Sequence, residues 1–314
     1  MILGAYIYYR RPAANWGSST DSYTFKSAIS SAREVTNSPD HIKTFRPKLL
    51  VFTGDPRTRS ALVEFGSLIT SDISLLIFGH IQDIRDIGLS NTNILCEKEA
   101  VQQWLLEHNI PGFYSVTQSS SLQEGARNCM TLTGLGKLCP NMILLGFKSN
   151  WKDDLPGLED YLEIVLTAFD LQLSTAIIRT REGFDNSEII DSLAQKPVES
   201  NNNDENSTDP EIGEGEKPKV TKEDSGVAAG KYPFRRLSVS ASSKQNRNID
   251  IWWLFDDGGL SLLIPHLVSL NKKYKDCNLR VFFMSKSANN LDDERRSLTD
   301  MLSRSVSLSL SQQV

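Results

Sequence analysis

A chain of 314 residues has room for one large domain or two modest ones, and 39% hydrophobic with 23% charged residues is ordinary globular composition. A net charge of −5, a pI near 5.5 and the lack of any clustered basic face exclude an electrostatic case for nucleic acid as partner. The four cysteines (Cys96, Cys129, Cys139, Cys277) and four histidines (His41, His80, His108, His266) are dispersed. No pair stands at metal-ligand spacing, so no metal centre is expected, and thiols used this way suit a reducing compartment, the cytosol.

The N-terminus begins with an apolar and aromatic run, Ile2 to Tyr9, followed at once by Arg10, Arg11 and Pro12. Eight helical residues rise about 12 Å against a hydrocarbon core of about 30 Å, too short to span a membrane. The run reads either as the cytoplasmic end of a transmembrane helix or as an N-terminal strand or simple anchor. A helix is expected over roughly Tyr23–Val35.

From Lys48 to Arg179 short apolar runs alternate with amphipathic stretches. The runs Leu49–Phe52, Ser74–Phe78, Phe113–Val116, Met142–Leu145 and Ala176–Ile178 have the length and character of strands buried on both faces. Between them Ser60–Ile69, Glu97–Asn109, Ser121–Thr133 and Leu158–Leu171 predict helices; in the second, Val101, Trp104, Leu105 and His108 fall at helical spacing. Alternation of this kind implies right-handed crossovers and an α/β fold with a mostly parallel sheet flanked by helices.

The pattern stops after residue 184. Between Pro197 and Gly230 nine acidic residues face three lysines, with no aromatic, which is a disordered composition. Residues 185–247 therefore read as a linker or insertion, whose flexible span would be on the order of 40 Å. Order resumes with a strand over Ile249–Phe255, a helix over Leu260–Lys273, a strand over Leu279–Met284 and a helix over Asp292–Leu302. The expected domains are a membrane-proximal stub (1–20), a first α/β lobe (21–184), the linker (185–247), a partial second α/β lobe (248–302) and a divergent tail (303–314).

Few residues offer chemistry. No Ser/His/Asp or Cys/His set has a local signature, so no catalytic residue and no enzyme activity is expected. Asp256-Asp257-Gly258-Gly259 follows a strand and opens a helix, as a metal-holding pair of carboxylates or as a capped turn. Gly134-Leu135-Gly136 follows a helix, which suits a helix C-cap better than a phosphate loop. Thr53-Gly54 and Gly146 with Lys148 do follow strands, so an adenine nucleotide has a candidate edge there, though loop geometry alone explains them equally. Arg235-Arg236-Leu237-Ser238 matches the pattern that basic-directed kinases accept, making Ser238 the candidate modification site.

Longer blocks carry a resemblance. Asn15-Trp16-Gly17-Ser18-Ser19-Thr20, Asp40-His41-Ile42-Lys43 and Phe45-Arg46-Pro47 match in order the opening of the cytosolic C-terminal domain of the cation–chloride cotransporters. Gly134-Leu135-Gly136, Pro140-Asn141 and Leu145-Gly146-Phe147-Lys148 match its middle, and the unbroken block from Ile249 to Gly259 matches its second lobe. Asn15 to Ser19 and Phe255 to Gly259 resemble the sodium-coupled (sodium-potassium-chloride) branch; the potassium–chloride branch typically has His where Asp256 stands. The resemblance implies a homodimerising regulatory domain of two lobes similar to universal stress proteins. It also implies a partner membrane domain, regulatory kinases, and a place on the cytoplasmic face of the plasma membrane. Met284-Ser285 stand where the family usually has glycines, and the pattern is lost after Ser303. The chain accordingly reads as a truncated fragment, splice form or incomplete gene model that moves no ions itself. A free-standing nucleotide-sensing domain of the stress-protein type is the alternative.

Overall fold

Strands made of Leu, Ile, Val and Phe with no charged position must be covered on both faces, and that requirement shapes the molecule. A computed structural model of the chain describes residues 19–41, 45–71, 73–85, 92–181, 247–253, 259–284 and 291–305. The N-terminal apolar run, Asp256-Asp257-Gly258 and Ser238 lie outside them. The chain divides into two units, one of residues 1–45 with 133–139 and one of the remainder.

In the smaller unit, helix α1 (Ser19–Asn37) has most of its surface exposed. Gly134 and Gly136 take left-handed backbone angles, φ 105° and 55°. A side chain at Gly136 would run into Thr36, so glycine is required there by space and by conformation. Lys137 anchors the unit through Asp40 (3.0 Å) and by donating to the Ser38 carbonyl.

The larger unit contains a five-stranded sheet of β1 (Leu49–Phe52), β2 (Leu76–Asp83), β3 (Phe113–Ser119), β4 (Met142–Gly146) and β5 (Ser174–Ile178). All pairs are parallel and the order is β3-β2-β1-β4-β5. The intervening helices are α2 (Ser60–Thr70), α3 (Thr92–Glu107), α4 (Leu122–Leu132) and α5 (Leu155–Asp170). Strand alternation sends Leu49, Val51, Leu76, Phe78 and Leu144 to one face, where Leu62, Val63 and Ile69 of α2 and Val101, Trp104 and Leu105 of α3 close over them. Leu50, Ile77, Ile143 and Leu145 point the other way, onto Ala126, Cys129 and Met130 of α4 and Ile164 and Ala168 of α5.

That distribution leaves the β4–β5 half of the first face without a helix of its own. The cover comes from later in the chain. Strands β6 (Asn248–Trp253) and β7 (Asn278–Phe283) form a separate parallel pair joined by α6 (Leu260–Leu270), and α7 (Leu291–Ser305) follows. Ile264, Leu267 and Val268 of α6 enter the same apolar cluster as Leu144, Ala176 and Ile178. Lys273 reaches Glu64 of α2 at 3.0 Å. The segment from β6 to α6 thus completes the five-stranded sheet as well as carrying its own strands.

A strand as continuously apolar as Ile249–Phe255 is expected to need covering on both faces, and here the structure differs. Ile251 and Leu279 are buried, but Asp250 and Trp252 point outward. Asp250 pairs in two-pronged fashion with Arg280 directly opposite (both bonds 2.7 Å), and Trp252 stacks on Phe282 at 4.5 Å. A cross-strand ion pair and an aromatic pair satisfy the outer face in place of a covering layer.

Candidate functional site at the carboxyl edge of the sheet

In a doubly wound sheet, ligands bind outside the carboxyl ends of the strands, where the strand order reverses. Here the reversal lies between β1 and β4, whose last paired residues are Phe52 and Leu145. Thr53-Gly54 and Gly146 with Lys148 therefore emerge from neighbouring strands, and the fold brings the two candidate pairs to one edge.

Each is held by local bonds. Thr53 is fully buried, its hydroxyl donating to the Gly54 carbonyl (3.0 Å), and Arg59 donates to the Thr53 carbonyl (3.0 Å). Gly54 has φ 63°, which turns the chain away from the strand at no steric cost. Lys148 donates to Asp154 at 2.7 Å, while the other Asp154 oxygen caps α5 by accepting from the Gly157 amide. The Lys148 hydrogen bond holds the Asp154 carboxyl below its usual range. An incoming anion would have to compete with Asp154 for that ammonium.

The sequence reading missed a second polar group on the α3 side of this edge. Asp55 accepts two-pronged bonds from the Arg57 side chain (2.7–3.0 Å), and Glu97 of α3 stands 4.0 Å from the same guanidinium. Glu97 also accepts from Gln82 of β2 (2.8 Å), whose own side-chain oxygen is buried with no partner. Two residues before it, His80 shares a 2.5 Å bond with the Tyr114 hydroxyl across the β2–β3 pairing. Residues at i and i+2 of a strand share a face, so His80 and Gln82 continue the row of Leu76 and Phe78. The alternation was legible, but the apolar criterion ended the strand at Phe78 and hid its polar half. Among the described residues no group of His, Cys, Asp and Glu is arranged to hold a metal ion, and no helix is long and apolar enough to cross a membrane.

Burial holds His80 below the usual imidazole value of 6.5, overriding the upward pull of Glu97 and Asp55, while Arg57 and Arg59 push it further down. Burial likewise raises the Tyr114 phenol far above its usual range, so both groups stay neutral at physiological pH. The unfolded chain takes up the His80 proton near 6.5 and the folded chain only lower. This contribution to stability is therefore complete above about pH 6.5 and is lost as pH falls toward the folded value. Burial displaces His266 on α6 in the same direction. The urea midpoint should fall between about pH 7.5 and about pH 5.5 by clearly more in the wild type than in His80→Gln. An identical fall in both would assign the effect to other groups.

The family model of solute carrier family 12 matches residues 59–246 and 219–309. Human solute carrier family 12 member 2 is 36% identical over an alignment 343 positions long, gaps included, and the zebrafish (Danio rerio) protein of that name is 34% identical over 339. Member 1 from Rattus norvegicus is 33% identical over 333. Each alignment covers 97% of this chain. The chain belongs to solute carrier family 12. It spans 28–30% of the length of these family members. The resemblance carried by the blocks between Asn15 and Gly259 is thereby borne out, as is the α/β architecture that it implied.

Proposed function

We propose that this chain is the regulatory and dimerisation domain of a sodium-coupled (sodium-potassium-chloride) cotransporter, working on the cytoplasmic side of the plasma membrane and moving no ions itself. The carrying observation is that members 2 and 1 of the family match it along 97% of its length while it matches less than a third of theirs. Its partners in this reading are the transporter's membrane domain, a second copy of the chain, and kinases acting on Ser238, where a phosphate would set about −1.5 to −2 charges beside Arg235 and Arg236. Ion movement across a bilayer needs several packed spanning segments. Cells expressing only these residues should show chloride-dependent rubidium uptake at background, and the purified chain should sediment as a dimer. Uptake above background, or a monomer at all concentrations, would contradict the proposal.

One observation favours a second reading, nucleotide sensing. Thr53-Gly54 and Gly146-Lys148 share the edge where nucleotides bind in sheets of this order. That reading requires a saturable change in tryptophan fluorescence on titration with ATP, Trp151 lying three residues beyond Lys148. Without it the first reading stands alone.

A further inference from the structure

Helix α5 is apolar on two sides. Ile164 and Ala168 are buried against the sheet, as the fold requires. Leu155, Leu162, Leu166 and Phe169 are nonetheless 67, 51, 56 and 59% exposed. The helical repeat aligns them in one stripe about 21 Å long on the outer face. Exposed Glu159, Glu163 and Asp170 follow one flank of the stripe, and half-buried Leu158 and Val165 follow the other. Four large side chains in line make a contiguous patch, and such patches mark interaction sites.

Helix α5 contains no lysine or arginine, so whatever covers the stripe must bring its own cations. A second copy of α5 brings none. Antiparallel, the two acidic flanks meet; parallel, each acidic flank is pressed on the partner's Leu158 and Val165 side, where carboxylates lose water and gain no ion pair. An anionic membrane surface is repelled by the same charges. The chain itself holds a complementary occupant. Residues 231–247 contain Lys231, Arg235, Arg236, Lys244 and Arg247 with no acidic residue, and Tyr232, Phe234, Leu237 and Val239 stand among them. Other long stretches outside the described residues do not compete: 1–18 has two arginines, 197–230 is acidic, and 306–314 has no charged side chain. Eight extended residues cover about 23 Å, so Tyr232 to Val239 matches the stripe in length. Arg247 immediately precedes β6, and α5 and α6 cover opposite faces of the same β4–β5 half of the sheet. A segment tethered there reaches an effective concentration that a separate partner lacks.

We propose that the outer face of α5 is the docking surface for the chain's own segment 231–247. Its apolar side chains cover Leu155 to Phe169, and its basic ones face Glu159, Glu163 and Asp170. A phosphate on Ser238, between Leu237 and Val239, would oppose that flank and release the segment; this use of Ser238 rests on the kinase reading above, whereas the docking does not.

Zero-length carbodiimide coupling of the full chain tests the contact, because it joins an amine to a carboxylate only where the two meet. Mass spectrometry should find Lys231 or Lys244 joined to Glu159, Glu163 or Asp170. In an equal mixture of light- and heavy-nitrogen protein the joined peptides should be all light or all heavy. Leu162→Asp should lower their yield at least roughly fivefold with circular dichroism unchanged, since the side chain lies outside the core. Ser238→Glu should lower the yield in the same direction. Joined peptides of mixed isotope would overturn the proposal in favour of a second copy. No joined peptide would overturn it and leave the face to a separate partner, and a yield indifferent to Leu162→Asp would overturn it as non-specific charge attraction. A yield unchanged by Ser238→Glu alone would overturn the release by phosphate and uphold the docking.

Discussion

Phe78→Ala should cost about 3–5 kcal/mol of folding free energy, a large share of the roughly 5–15 kcal/mol that holds a domain of this kind together. Phe78 is completely buried and is the bulkiest of the fully enclosed side chains. It stands on β2, next to the central strand, between the helices of the first face. Its ring also occupies the space over Gly112, where an added Cβ would come within 2.5 Å of the Phe78 ring. The two residues should therefore be coupled. Gly112→Ala alone forces the ring aside and is destabilising, whereas in the Phe78→Ala background the new methyl enters the vacated space and its cost should largely vanish. Urea denaturation of the four proteins measures this directly. Additive effects in the double variant would show that the ring and Gly112 do not share that space.

Backbone protection should differ by orders of magnitude between the two sheets. Strand β1 is flanked by β2 and β4 and covered on both faces, whereas β6 and β7 pair, among the described residues, only with each other, with Asp250 and Trp252 exposed on the outer face. Two strands alone are marginal, and a unit of about 55 residues rarely draws more than about 3–5 kcal/mol from its own core. The pair is held mainly through α6, which is anchored in the larger core by Ile264, Leu267 and Val268. Amide hydrogens of Ile251, Trp253 and Val281 should exchange far faster than those of Val51, Leu76 and Leu144. Leu267→Asp should widen the gap by loosening α6 while leaving β1 protected. Equal protection in both sheets would mean that the β6–β7 pair unfolds only together with the five-stranded sheet.

The periodicities located every strand of the larger sheet, because five short apolar runs between helical patterns have few other interpretations. Boundaries failed where polarity carried structural meaning. Strand β2 runs on to Asp83 through His80 and Gln82, whose polar side chains find Tyr114 and Glu97. Helix α5 begins at Leu155, three residues before the expected start, because Asp154 caps it and Pro156 is tolerated in a first turn. Thr53, Gly54, Gly146 and Lys148 were recognisable as residues that follow strands. That β1 and β4 are neighbours was not, since strand order depends on which crossovers pack best and leaves no local mark in composition. The outer stripe of α5 was hidden for a related reason. The sequence of α5 is apolar on two sides, and only its position against the sheet shows that Ile164 and Ala168 face inward while Leu155, Leu162, Leu166 and Phe169 stay outside.

The closing of the first face by α6 has a consequence during synthesis. About 80 residues separate the end of β5 from the start of α6, and a ribosome adding about 5–20 residues per second needs roughly 4–16 s to supply them. Throughout that interval β4 and β5 can be paired with their neighbours while Leu144, Ala176 and Ile178 still lack the helix that shields them. The length of chain between β5 and α6 therefore sets a time as well as a distance: for seconds the apolar surface that α6 covers awaits that helix, long enough for chaperones that bind apolar surface to find it.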